Sequence, residues 1–289
     1  MQGIIMSGKM LFSIYSLIIS CFILAQSNSV MGEEKRYKLG KIVKIKGLVK
    51  VYRFPNPNFK EAEAESKKKK VPLVLYEKQY WQAYEVKKRV NLYDKDMIVT
   101  GDGQIIAIIN RKKVTVSPFS YFSVNRTKAE GGKSDAFLTL VAGKVRASID
   151  KNKKNETVNL RTKSAVMGVR GTDLFISYSG NTTEVATLEG LVDVTNHKGD
   201  KKSTVSLKQG QASKIRDPYT EKEKENMKKK YSPSELKKLL AAAQPSKAKK
   251  ISPTLMKQIQ SNSKGMIEDD HILKNLEVLI RKDRIIEEK

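Results

Sequence analysis

The sequence is short of the residues from which most small chemical sites are built. Its 289 residues include one cysteine, Cys21, and two histidines, His197 and His271. A single cysteine cannot pair within the chain, which excludes a disulfide-stapled fold. Multi-cysteine zinc sites and histidine-rich metal sites are excluded with it. There is no G-x-S-x-G elbow, no H-E-x-x-H and no phosphate-cradling G-x-x-x-x-G-K-[ST]. Asp94, Asp96 and Asp102 lack the glycine and terminal glutamate of a calcium loop, and they read as turn residues. Cys21 lies in an apolar N-terminal run, so a Cys–His nucleophile has no place to form. The sequence therefore gives no catalytic residue, cofactor or metal ligand, and the expectation is a protein that is not an enzyme. Hydrophobic residues at 39% and aromatics at 7% are lean for a chain packed throughout. They suggest one core with solvated extensions.

Positive charge is abundant. Lys and Arg number 56 against 31 Asp and Glu, for a net charge of +25. Such a surface attracts polyanions. The N-terminus narrows which ones. Residues Met10–Ala25 are almost wholly apolar, with Lys9 in front and small residues behind. That is the layout of a secretory signal peptide, and we assign it to residues 1–32, with cleavage after Ser29 or Gly32. The run is shorter than the ~20 residues that span a bilayer as a helix. Two other fates fit the same segment: retention as an anchor, or lipid attachment at Cys21. Either would supply the only membrane association. In every case the mature chain belongs to the periplasm or cell envelope. Export removes nucleic acid as a partner and leaves lipid headgroups, lipopolysaccharide and cell-wall polymers. The lysines are dispersed, a pattern more often serving solubility than binding.

From residue 33 to 217 the chain reads as short strands. In Lys41–Val51 (KIVKIKGLVKV), Val43, Ile45, Val49 and Val51 alternate with lysines, as on a half-buried strand. Similar runs recur at 97–99, 105–109, 114–116, 121–124, 137–142, 144–149, 158–161, 174–178, 184–188, 191–195, 205–207 and 212–215. Turn clusters separate them, among them TGDG (100–103), SGN (179–181) and Glu189-Gly190. This rhythm predicts an all-β domain, a short-stranded antiparallel roll or sandwich or a solenoid-like stack. Phe59–Pro72 (FKEAEAESKKKKVP) interrupts it. A short helix fits the segment, but four successive lysines favour a long surface insertion. After it, Trp81 sits among Tyr76, Tyr80 and Tyr84. Trp81, Tyr80 and Tyr84 are candidate ligand or partner contacts. The alternative is that these rings pack on the core, as aromatics usually do.

Residues 157–215 contain AVMGVRGTD (165–173), TEVATLEGLVDV (183–194) and a closing Gly210-Gln211. Weaker matches precede them in order: Trp81, NLYDKDMIVTGDGQ (91–104) and FLTLVAGKVRASI (137–149). The assembly resembles the FecR family of periplasmic signalling and sensory domains, with Lys163 standing where the family often has proline. The resemblance implies a sensory or scaffolding β module. Family members often relay an outside signal to a cytoplasmic sigma factor. Only nine residues precede the apolar run here, so the expectation is that this chain is not itself an anti-sigma factor.

Within the motif, Gly168 and Gly171 flank Val169-Arg170. Glycines at that spacing suit a tight turn or a close approach of two strands. Arg170 then has Asp173, Glu184 and Glu189 near it in sequence as ion-pair partners. We read Gly168, Arg170, Gly171, Thr172 and Asp173 as fold residues, with Glu189 and Gly190 as a hairpin turn. The competing reading makes Arg170 an anion contact.

Residues 218–289 form a Lys-rich helical tail. Ser232-Pro233-Ser234-Glu235 is a helix start with an N-cap, a proline and a first-turn acid, and 246–253 reads as linker. Farther on, Ile272, Leu273, Leu276, Leu279, Ile280 and Ile286 make an apolar stripe at helical spacing. It either packs back on the β domain or docks a partner through Leu276, Leu279 and Ile280. The expected function is that of an exported FecR-like module with an envelope protein as partner. The alternative is a binding protein for peptidoglycan or lipopolysaccharide through its lysine faces.

Overall fold

A computed structural model describes residues 36–87, 89–128, 134–149, 158–196 and 203–263. The strands and helices belong to the unit that begins at Tyr37. It is all-β with helices towards the C-terminus, as the alternation predicts. Strand β1 (Lys38–Lys46) and β2 (Val49–Asn56) come first, then helix α1 (Phe59–Lys69). Strands β3 (Leu73–Tyr76), β4 (Gln79–Glu85), β5 (Asn91–Tyr93), β6 (Asp96–Thr100), β7 (Gln104–Ile109), β8 (Lys112–Val116) and β9 (Tyr121–Lys128) follow. Three long strands come next, β10 (Ser134–Ser148), β12 (Ala165–Ser179) and β13 (Thr182–Asn196), with the short β11 (Val158–Arg161) between the first two. Strands β14 (Val205–Lys208) and β15 (Gln211–Arg216) close the main sheet. Helix α2 (Glu221–Lys230), α3 (Pro233–Ala241), strand β16 (Lys249–Lys250) and helix α4 (Pro253–Ser263) complete the described chain.

The strands form one continuous sheet with the path β16-β15-β13-β12-β11-β10-β9-β6-β2-β4-β3, and a branch in which β1, β7 and β8 lead back to β10. Strand β10 joins the two routes. Its first half pairs with β9 and β11, and its second half with β8 and β12. The sheet thereby folds over, so that Ile42, Ile105 and Val114 from one route share a core with Val51, Ile98 and Phe122 from the other. Among the described strands all pairings are antiparallel except β10 with β11, where Phe137 lies opposite Asn159 in a parallel register.

Several sequence expectations need correction. The single strand Lys41–Val51 is two, divided by Gly47 at φ +72°. A register shift between Ile42 and Lys44 makes Ile42, rather than Val43, the fully buried residue of β1. A bulge of this kind resets the alternation that face assignments rely on. The runs 137–142 and 144–149 are one strand that bends at Gly143, where φ is +96° and an added Cβ would collide with Ser120. Residues 59–69 form helix α1 instead of a loop. Asn58 caps it by accepting from the Lys60 N–H, and the pairs Glu63–Lys67 and Glu65–Lys69 offset the lysine repulsion.

The tail departs most. Helix α3 begins as its spacing predicts, with Ser232 and Glu235 in a reciprocal capping box. Hydrogen bonds from Ser232 hold the Glu235 carboxyl below the usual carboxylate range. The segment read as linker is instead attached to the sheet: β16 pairs with β15. Ile251, Leu255, Met256 and Ile259 bury against Phe175, Ala186, Leu188 and Ala212. These four residues lie on the side of β12, β13 and β15 opposite the main core, since Leu174, Ile176 and Val185 belong to that core. Helix α4 therefore covers a second apolar face. Ile259→Ala should lower unfolding stability by about 2–5 kcal/mol, the usual cost of a buried Ile truncation, read as a fall in thermal midpoint. An unchanged midpoint would mean that α4 does not pack on this face.

Candidate functional site

The FecR-like motif lies where β12 and β13 bend together. Up to Arg170 the two strands pair in one register, Arg170 opposite Leu191. Asp173, opposite Glu189, is one residue out of step, and from Leu174, opposite Thr187, the original register resumes to Ser179 and Thr182. Gly171 and Thr172 of β12 are thus set against the single Gly190 of β13, and Leu188 of β13 is the compensating extra residue. Gly171 has φ +57° and Gly190 φ +85°, a region that L side chains rarely adopt. A Cβ on Gly190 would lie 2.8 Å from the Gly171 carbonyl oxygen and 3.0 Å from Thr172 Oγ1. Thr172 donates its hydroxyl across the strands to the Leu191 carbonyl at 3.0 Å. Its own carbonyl accepts from the Ile149 N–H of the segment after β10 at 2.9 Å.

Glu189-Gly190 is therefore not a hairpin turn. It lies in the middle of β13, and the true turn is Gly180-Asn181, both at positive φ. Glycine in an extended run signals a bend as readily as a turn, and the sequence does not separate the two. Gly168 meets neither reason offered for a glycine in the motif. Its φ is outside the left-handed region, and nothing lies within 4 Å of an added Cβ.

Just past the bend, Asp173 accepts two hydrogen bonds from Arg146 of β10, 2.8 Å from Nε and 2.9 Å from Nη2. Both side chains are about 95% buried or more. The third guanidinium nitrogen, Nη1, donates to Ser263 Oγ at the end of α4 at 3.0 Å. A planar fork suits this two-point grip on a carboxylate. The motif aspartate is thus tied to Arg146, a residue that the sequence reading passed over. Its signal was faint: in GKVRAS, Val145 and Ala147 take the core face, leaving Arg146 on the other. Of Arg170 the described structure gives only the backbone position opposite Leu191. Glu184 pairs with Lys214 at 3.2 Å.

The remaining candidate contacts fall elsewhere. Trp81 is buried with Tyr52, Ala83, Met97 and Val99, and its ring N–H donates to the Tyr76 carbonyl at 3.2 Å. Tyr80 is half-buried, its ring 5.1 Å from that of Phe59. Tyr84 is half-buried too, donates to Gln82 Oε1 at 2.7 Å and faces the Arg53 guanidinium. The three do not converge on one concavity. Leu276, Leu279 and Ile280 lie outside the described residues, as does the signal segment with Cys21.

At the other end of the β12–β13 hairpin, the Tyr178 hydroxyl donates to Asp217 Oδ2 at 2.6 Å, with Lys163 Nζ 3.3 Å from the same oxygen. Burial pushes the phenol well above its ordinary value, aided by that hydrogen bond and by the carboxylate's charge. Thr162, Ser164 and Thr183 share a buried hydroxyl cluster nearby, with Oγ–Oγ separations of 2.6 and 2.5 Å. A cavity of about 250 Å³ opens beside it, lined in part by Ser164, Asn196, Tyr219, Lys224 and Leu240. On the far edge of the sheet, Tyr76 is pushed up to about 12, chiefly by burial and then by Glu77.

Two outcomes follow from this geometry. Gly190→Ala should cost about 1–3 kcal/mol, the range for a strained backbone position, whereas Gly168→Ala should leave the melting temperature unchanged or slightly raised. Equal effects would show that the bend does not require glycine. Tyr76 and Tyr178 ionise above their unfolded value of about 10, so at alkaline pH the folded state holds protons that the unfolded state has lost. Their stabilising share is intact below pH 10 and declines as pH rises beyond it. Urea melts from pH 8 to 11 should show that decline, and Tyr178→Phe should reduce it. A pH-independent midpoint would contradict the assignment.

Residues 96–193 match the family model described as FecR protein. Two crystal structures of a candidate anti-sigma factor from Parabacteroides distasonis align with the chain at 13% identity and a TM-score of 0.34. The alignment covers 43% of this chain and 55% of that one. No curated protein is significantly similar in sequence. The matched span runs from the first residue of β6 into β13 and contains all three bends, at Gly143, Gly171 and Gly190. The similarity of this chain to the FecR family therefore rests on residues 96–193, about a third of its length.

Proposed function

We propose that this protein is an exported, non-enzymatic FecR module that acts in the cell envelope as a sensory or scaffolding domain and engages a protein partner. The observation that carries the reading is the FecR match over the bent hairpin. Its motif residues brace the fold: Gly171 and Gly190 shape the bend, and Asp173 anchors Arg146. A motif occupied in this way leaves recognition to surfaces around it, and it suits a domain that presents a surface to a partner. The basic and apolar layout of residues 9–32 supports export. Among the described residues no helix is long and apolar enough to cross a membrane.

N-terminal sequencing of the protein from the envelope fraction should find the chain beginning near residue 30 or 33, or at a lipid-modified Cys21. Cross-linking in intact cells should capture an envelope protein. Retention on lipopolysaccharide should vanish at high salt, because exposed charges are screened beyond ~10 Å at 0.1 M. An intact Met1 in the cytosol would overturn the reading. Salt-resistant polymer binding without any captured protein would replace it with the polymer-binding alternative.

A further inference from the structure

We propose that the exposed edge of β3 is a docking site for an extended acidic peptide strand. This deepens the proposed function by giving the partner's chemistry and its place of attachment, and it rests on that reading.

Strand β3 is the end of the sheet path and pairs with β4 alone among the described strands. The Pro72 carbonyl accepts from the Ala83 N–H at 2.8 Å. Antiparallel bonding alternates along a strand, so Val74 and Tyr76 also bond towards β4. The N–H and C=O groups of Leu73 and Leu75 then point outward from the edge. Such groups are a template for an incoming strand. The side chains beside them are unusual for a bare edge. Leu75 is 62% exposed and lies opposite Tyr80 of β4. The Tyr80 ring meets Phe59, itself 47% exposed. Leu75, Tyr80 and Phe59 thus continue the edge as an apolar strip on one face, able to take alternate side chains of an added strand.

Charge selects the occupant. Lys70 lies three residues before β3, and Lys78 stands beside Glu77 in the two-residue turn that follows it; both lysines are exposed and at positive φ. Lys68 is exposed on the adjoining turn of α1. Lys67 and Lys69 are partly offset by Glu63 and Glu65. A second copy pairing antiparallel through β3 would set Lys70 of each copy near Lys78 of the other, and like charges placed opposite across strands disfavour that pairing. A strand alternating acidic and apolar residues meets both the lysines and the strip.

The test uses the mature chain and a blocked ten-residue peptide alternating valine and glutamate, with a valine–lysine peptide as control. Amide exchange followed by NMR reads the edge, and fluorescence of the sole tryptophan, Trp81, opposite Val74, reads occupancy. The acidic peptide should slow exchange at Leu73 and Leu75 at least tenfold, and the basic peptide should not. Leu75→Pro removes an outward N–H without touching the β4 ladder, a change that edge strands tolerate; it should weaken binding at least tenfold with the melting temperature retained. Should that variant not fold, Lys70→Glu with Lys78→Glu replaces it and should give the same loss. Unchanged exchange at Leu73 and Leu75, equal binding of both peptides, or full binding by a folded edge variant would each overturn the site. A cross-linked envelope partner still held by the edge variants would sink the edge and leave the broader reading standing. Peptide binding at the edge with no partner captured in cells would do the reverse.

Discussion

The structure turns on the paired bend of β12 and β13, where two glycines at positive φ let one backbone cross the other at contact distance. The bend frees each long strand to serve two sets of neighbours. Before it, β12 lies between β11 and the second half of β13; after it, β12 lies between β10 and the first half of β13. Gly143 performs the same service in β10. Without these corners a 15-residue strand would run straight, and the sheet could not fold over to enclose Ile42, Phe122, Leu138 and Ile176 in one core. Strands that change neighbours at bulges are a general way of making corners in β folds.

A bend made of glycine is permissive, and here it is tied down. The Arg146–Asp173 pair joins β10 to β12 just after the crossing, and the third guanidinium nitrogen reaches α4. A buried carboxylate or guanidinium left alone costs far more than a matched pair, so the pair enforces one register. Ile251, together with Leu255, Met256 and Ile259 of helix α4, covers the adjacent apolar face. Tail and β domain are in this respect one body of packed structure.

The strands themselves were legible because alternation and turn residues are local signals. What escaped was whatever depends on a partner distant in sequence. Glu189-Gly190 looks like a turn until the register with Gly171 shows a bend. Ile42 and Val43 exchange places because of a bulge that no alternation pattern announces. Arg146 is one basic residue among 56 Lys and Arg until Asp173 is brought within 2.8 Å of it. The lysine run of 67–70 suggested repulsion, whereas the Asn58 cap and two ion pairs four residues apart sustain a helix. Residues 249–259 carry only a few apolar side chains and acquire meaning from the apolar face of Phe175, Ala186 and Leu188 that they cover.

The central claim is that the FecR motif braces the fold from within. A double-mutant cycle of Arg146→Ala and Asp173→Ala, followed by urea unfolding, tests it most directly. Residues in one buried network show coupling of about 0.5–3 kcal/mol, and the account predicts a value near the top of that range, with the double variant little worse than either single one. Additive effects, or single variants as stable as the parent, would contradict it.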